Sequence, residues 1–128
     1  MKVLLDTHTL LWATLSPSSL TELAAGIIEN ESNSIWVSAA SAWEIATKVR
    51  IGKLPEAIVL EREFLETIEL AGYSLLPIEV ADGLRAGRLA GDNRDPFDRM
   101  IAAQALARDW PILSKDPALD AFGVRRIW

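Results

Sequence analysis

The sequence predicts a three-layer α/β/α sandwich around a central, mainly parallel sheet of about five strands. Two observations predict it. Short apolar runs at KVLL, SIWV, YSLLPI and PILS, with VRRI as a fifth strand, alternate with stretches of helical periodicity or helical turns. Most of these runs are continuously apolar rather than alternating with polar residues, as strands covered on both faces are.

The elements follow in order. KVLLD is a buried strand with a polar stop. THTLLWATL reads as a short helix that ends before Pro17. Ser19 and Glu22 have capping-box spacing ahead of LAAGII, which predicts a helix to about Asn30. SIWV, 34–37, is the second strand. Ser38 can cap a helix through Arg50, and Gly52 can end it. Pro55 marks a loop, and IVLEREFLETIELA, from Ile58, is periodic as one helix closing at Gly72. YSLLPI is the third strand. Glu79 to about Leu89 is a helix weakened by Gly83 and Gly87. After the polar loop GDNRD, Asp95 is a natural N-cap with Pro96 at the first helical position, and that helix runs to about Arg108. PILS is the fourth strand, Ala118–Phe122 a helical turn, and VRRI the fifth strand. There is no repeat, low-complexity tract or linker, so residues 1–128 are expected to form a single domain.

In such a fold, ligands bind beyond the carboxyl ends of the strands. Asp6 and Asp116 lie at or just after strand ends. Asp98 sits in the first turn of a helix that starts at the same edge if its crossover is right-handed. Glu44 lies about two turns into the helix after the second strand and must reach back. Gathering carboxylates is costly, since two like charges ~4 Å apart repel by about 4 kcal/mol at an effective dielectric near 20. A divalent cation removes that cost, and hard cations prefer oxygen ligands, so the set suggests Mg²⁺ or Mn²⁺.

Composition narrows the alternatives. With no cysteine, disulfides, thiolate zinc sites and cysteine nucleophiles are excluded, and the single histidine, His8, makes a multi-His metal site impossible. The start, MKVLLDTHTLLW, is interrupted by Asp6 and His8 and fits neither a signal peptide nor a membrane span, so a cytoplasmic protein is expected. A net charge of −5 argues against a generic nucleic-acid binder. The basic residues nevertheless cluster, at Lys48, Arg50 and Lys53, at Arg85 and Arg88, at Arg94 and Arg99, and at Arg125 and Arg126. Local patches set the field that a phosphate meets.

The order strand–Asp6, helical Glu44, D-x-x-I-A-A-Q-A at Asp98 and S-K-D at Asp116 closely resembles the PIN-domain ribonucleases, among them the VapC-like toxins of prokaryotic toxin–antitoxin pairs. LLDTHTLLW, SAASAWEIATK, GKL, RDPFDRMIAAQA and LSKD each resemble segments of one VapC-like subgroup. The resemblance implies a PIN-like fold and a metal-dependent endonuclease that acts on RNA and is inhibited by a cognate antitoxin. It also implies a homodimer. Asp6, Glu44 and Asp98 fall on the family's three central acids, Asp116 on the more variable fourth, and Ser114 on a hydroxyl position beside it. Asn93 stands where the subgroup often has His. A motive for the dimer is the apolar first quarter of the chain, in which Leu10, Leu11, Trp12, Leu15 and Leu20 exceed what a short helix needs for one core face.

Each residue also has a plainer reading. Asp6 could cap the following helix, and Glu44 could close a capping box with Ser41. Asp95 and Asp98 compete for one role; the Asp-Pro pair makes Asp95 the better cap and leaves Asp98 free as a ligand. Asp116 could be a turn residue before Pro117. Ser114 reads as a hydrogen-bond partner of the acids, His8 as structural, and the five Trp residues as core or interface anchors. Lys48, Arg50 and Arg99 are candidates for phosphate contact, against ordinary surface charge. Three other functional classes share parts of this pattern. A haloacid-type phosphatase would need Asp-x-Asp after the first strand, where this chain has Asp6-Thr7-His8. A receiver-like signalling domain would need a phosphoacceptor Asp at the end of a central strand, and the third strand runs into IEVAD without one. A PIN-like binding module without catalysis would not need the full acid set.

Overall fold

The computed structural model describes Met1–Trp128. Five strands form one sheet: β1 (Lys2–Leu5), β2 (Ser34–Ser38), β3 (Ser74–Leu76), β4 (Ile112–Leu113) and β5 (Arg126–Ile127). All neighbouring pairs are parallel and the spatial order is β3-β2-β1-β4-β5. Seven α-helices surround it: α1 (Thr7–Leu15), α2 (Glu22–Glu29), α3 (Ala39–Arg50), α4 (Ile58–Arg62), α5 (Phe64–Ala71), α6 (Val80–Arg88) and α7 (Pro96–Arg108). Short 3-10 turns occupy Pro17–Ser19, Pro55–Ala57 and Pro117–Phe122. This is the α/β architecture expected from the alternation of elements.

The sheet separates two cores, because successive side chains of a strand point to opposite faces. Val3 and Leu5 of β1 join Ile35, Val37 and Leu113 on one face, under α1, α2, α4, α5 and the body of α3. Leu4 joins Ile112 and Leu76 on the other, under α7 and the last 3-10 turn. Complete burial of Val3, Leu4 and Leu5 explains why this strand reads as one unbroken apolar run.

Two local expectations are corrected. Thr21, not Ser19, caps α2: its hydroxyl accepts from the Ala24 N–H at 3.0 Å, while Ser19 is drawn into the 3-10 turn after Pro17 and bonds Ser16. The expected helix from Ile58 to Gly72 is two helices that meet at Glu63, which is outside the helical region at φ −109°, ψ 26°. Leu60 on α4 and Ile68 on α5 are both almost fully buried. Gly72 ends α5 in the left-handed conformation, φ 76°, which costs a residue without Cβ nothing.

The apolar first quarter of the chain is also used differently from expectation. Leu10 and Leu11 are buried in the first core, and Leu20 packs against it. Of the five residues named above, only Leu15, 44% exposed, stands out; Leu23 on α2 is 55% exposed. Larger apolar exposures lie elsewhere: Leu70 on α5 and Val80 on α6 are 89% and 84% exposed, and Trp43 on α3, Val59 on α4 and Leu65 on α5 are 58–68% exposed. No helix is long and apolar enough to cross a membrane.

Candidate active site

The strand order creates the site. From β1 the chain moves outward to β2 and then β3, and returns to β4 on the opposite side of β1. The switch point of the sheet is therefore the crevice between β1 and β4, where open α/β sheets bind ligands. Leu5 pairs in register with Leu113, so Asp6 and Ser114 leave their strands side by side. Ser114 donates its hydroxyl to Asp6 Oδ2. Asp6 Oδ1 accepts from the Thr9 N–H at 2.7 Å, so Asp6 also caps α1, and Thr9 in turn donates its hydroxyl to the Leu113 carbonyl at 2.8 Å. Asp6, Thr9 and Ser114 are all buried. Capping does not exhaust Asp6, since each carboxylate oxygen has two acceptor positions.

Glu44 is brought in by α3. Ser38 caps that helix by accepting from the Ala40 N–H at 3.0 Å. Ser41 does not form a capping box with Glu44: its hydroxyl is 3.0 Å from the Thr7 hydroxyl, a buried bond that ties the starts of α1 and α3 together. Glu44 is buried, and its Oε2 is ion-paired with Lys48 one turn on. Lys48, a candidate for phosphate contact, is thus occupied by Glu44.

At the start of α7, Asp95 and Asp98 divide their roles. Asp95 Oδ1 accepts from the N–H groups of Phe97, at 2.8 Å, and Asp98, at 3.1 Å. Asp98 is left free of capping, and only the Asn93 side-chain amide approaches its carboxylate, at 3.2 Å. Its pKa is pushed up to about 6. Burial is the largest cause; the Asn93 hydrogen bond acts against it, and the negative charges of Asp95, Asp116 and Glu44 add to it. Phe97 meets Trp43 edge-on, ring centroids 4.7 Å apart, so the residues preceding Asp98 and Glu44 lock α7 to α3.

Arg99 is turned away from the role considered for it. Its guanidinium donates to the carbonyls of Ala86 at 3.1 Å, Asn93 at 2.8 Å and Leu89. It holds the loop before α7 rather than presenting itself to a phosphate. Asp116 is exposed and caps the last 3-10 turn through the Ala118 N–H at 2.9 Å, and its own N–H donates to Ser114 Oγ at 3.0 Å.

The fold therefore places Asp6, Glu44, Asp98 and Asp116 at one edge. Asp116 borders the same cavity as Asp6 and lies within electrostatic reach of Asp98, as does Glu44. As the side chains stand, no three His, Cys, Asp or Glu groups are close enough to hold one ion among them. The donor set nonetheless fits a hard divalent cation. It is made of carboxylate oxygens alone, and the repulsion felt by Asp98 is what such a cation would relieve.

The PIN-domain profile matches residues 3–124. The chain belongs to the PIN-domain family. Membership sets aside the receiver-like alternative. Solved structures of the same PIN-like fold include VapBC2 from Rickettsia felis bound to a promoter DNA fragment, with TM-score 0.68, 13% identity, and coverage of 99% of this chain and 98% of that one. They also include FitAcB from Neisseria gonorrhoeae, with TM-score 0.67, 21% identity, and coverage of 98% and 96%. FitAB bound to the IR36 DNA fragment gives TM-score 0.66, 19% identity, and coverage of 98% and 93%. No curated protein sequence matches the chain.

Several residues that build this PIN site carry no sequence signal of their own. Thr7, Thr9 and Ser41 are ordinary hydroxyl residues until the fold buries them together. Behind the site, Gln104 accepts from the Ser38 hydroxyl at 2.5 Å and donates to the Pro77 carbonyl at 3.0 Å. Beside it, Asp82 binds Arg108 through both carboxylate oxygens, at 3.0 and 3.2 Å. This buried polar network joins β2, α6 and α7. An i+4 spacing of Gln104 and Arg108 on one helix face was its only trace in the sequence.

Proposed function

We propose that this PIN domain is a Mg²⁺- or Mn²⁺-dependent endoribonuclease and the toxin of a toxin–antitoxin pair. The observation that carries the reading is Asp98. It is a half-buried carboxylate that caps nothing, and its pKa is raised first by burial and further by the charges of Asp95, Asp116 and Glu44. Asp6, Glu44, Asp98 and Asp116 would hold the cation, with Asp95 and Ser114 fixing their positions. The bound ion supplies charge neutralisation at the phosphate and lowers the pKa of a coordinated water. The chain's own part is orientation. Ser114 and the Thr9 N–H hold the two oxygens of Asp6, and Asp95 leaves Asp98 free by taking the helix cap. Lys48 is paired with Glu44, and a cation held by Glu44 would leave the Lys48 ammonium available to a substrate phosphate.

The sequence resemblance to VapC-like toxins supports an antitoxin partner and a homodimer, and the fold shared with the VapBC2 and FitAB assemblies is consistent with the antitoxin partner. The apolar surface at Trp43, Val59 and Leu65 is a better candidate for such contacts than the largely buried α1. A catalytically silent RNA-binding PIN module is the second reading, favoured by the side chains not closing on one ion. Incubating the purified protein with single-stranded RNA in Mn²⁺ and in chelator separates the two. Cleavage that requires metal and is lost in Asp6→Asn and Asp98→Asn is expected. Equal cleavage by the wild type and both variants would sink the site assignment.

A further inference from the structure

Beside the acids, an open cavity of about 400 Å³ is lined by Asp6, His8, Trp12, Lys115, Asp116 and Pro117. Its size lies within the range of small-ligand sites. One wall belongs to the acidic site; the other is aromatic and cationic and has no part in the chemistry above. His8 and Trp12 are one turn apart on α1, so they share a face, with ring centroids 5.8 Å apart and tilted by 47°. Trp12 also packs against Trp128, ring centroids 5.6 Å apart. The Lys115 ammonium lies 5.9 Å from the Trp12 ring and is paired with no carboxylate. The core does not account for these side chains. Leu10 and Leu11 fill the buried face of α1, whereas His8 and Lys115 are exposed and Trp12 is half-buried.

We propose that this cavity is a nucleotide subsite that takes one unpaired base of the RNA next to the scissile phosphate. The inference rests on the endoribonuclease reading above and adds how the strand is held. A nucleotide joins a flat π-face to an anion, and the cavity offers the complement of each. Trp12 offers an aromatic face with the His8 ring tilted by 47° beside it, and base–aromatic stacking is largely indifferent to sequence. Lys115 supplies a mobile positive charge to a phosphate adjoining the stacked base. A base inside a duplex has both faces covered, so the subsite selects single strands, loops or ends. The aromatic wall and Asp6 border one cavity, which places the stacked base beside the carboxylates.

The test uses the whole chain, with Ca²⁺ in place of Mg²⁺, and follows a fluorescein-labelled single-stranded RNA of about ten nucleotides by anisotropy. The same strand annealed to its complement is the control. His8→Ala and Lys115→Ala alter exposed side chains, and matching thermal melts check that both fold. We expect His8→Ala to bind the single strand about fivefold more weakly, and Lys115→Ala about tenfold more weakly with a shallower salt dependence. Lys115→Arg should restore binding to within about twofold, and the duplex should bind weakly to every form. In Mg²⁺ the losses should fall on KM rather than kcat. Variants that bind within twofold of the wild type, in a protein that still cleaves RNA, overturn the subsite and leave the nuclease reading standing. Tighter binding of the duplex than of the single strand also overturns it. A wild-type protein that neither binds nor cleaves the single strand overturns both.

Discussion

Ser114 donates its hydroxyl to Oδ2 of Asp6 across 108 positions of sequence. The bond closes the switch point of the sheet, because the two residues continue a strand pair that ends at Leu5 and Leu113. It also fixes Asp116, whose N–H donates to the same Ser114 oxygen. One buried hydroxyl thus sets two of the four acids.

Replacing Ser114 with Ala should show both effects. Asp6 would lose a donor in a buried setting, which costs about 1–3 kcal/mol. Urea melts should record that loss. RNA cleavage should fall by about tenfold or more, since small displacements of catalytic groups are costly. Wild-type cleavage by a destabilised Ser114→Ala protein would show that the bond serves the fold alone.

Asp95 and Asp98 should separate cleanly. Asp95→Ala removes the cap of α7 and should cost about 1 kcal/mol, with part of the activity retained. Asp98→Asn should abolish cleavage and leave the melting temperature unchanged or higher in metal-free buffer, since it removes a charge from a crowded edge. The reverse pattern would reassign the two roles.

The raised pKa of Asp98 predicts a pH dependence with a definite sign. The native value is about 6 and that of an unfolded Asp about 3.9. The native state therefore holds its proton more tightly between these values. Metal-free stability should be greatest at the acid end of this window and decline as pH rises from about 4 to about 6. Asp98→Asn should lack that decline. Mn²⁺ should raise the melting temperature at pH 7 more than at pH 5, where Asp98 is largely protonated. A Mn²⁺ effect that is equal at both pH values would place the ion away from Asp98.

The Asp82–Arg108 pair should behave in the opposite sense. Burial alone would raise the Asp82 pKa, but the Arg108 hydrogen bonds, the Glu79 N–H and the Arg108 charge outweigh it and lower the value. Its stabilisation is present above the unfolded value near 4 and is lost as pH falls through the lower native value. Asp82→Ala would leave a partly buried Arg108 unpaired and should cost about 3 kcal/mol or more. Thermal melts of that variant at pH 7 and pH 3 should converge toward the wild type at the lower pH.

The sequence by itself determined the fold class, most element positions and the separation of Asp95 from Asp98. These depend on local or periodic features: continuous apolar strands, an Asp-Pro start to α7, and a Gly in the left-handed region after α5. The family was legible because five motifs stand in a fixed order. Local rules also explain the misses. Ser19 and Thr21 both offered a cap to α2, and the choice fell to Thr21 once Pro17 had started a 3-10 turn. Periodicity carried the helix from Ile58 through Glu63, where the backbone leaves the helical region between α4 and α5.

Tertiary structure alone decided which groups meet. Ser114 lies against Asp6 only because β4 pairs with β1, and Thr7 meets Ser41 only because the starts of α1 and α3 adjoin. It also decided the fate of the long side chains. Arg99 and Lys48 are flexible cations whose sequence positions allow many partners. Three carbonyls claimed one and Glu44 the other, since a buried or half-buried polar group takes the nearest complementary charge or dipole. The first quarter of the chain shows the same division. Its apolar character was plain in the sequence, but the closing of the sheet determined that Leu10 and Leu11 turn inward while His8, Trp12 and Lys115 are left to frame a cavity beside Asp6.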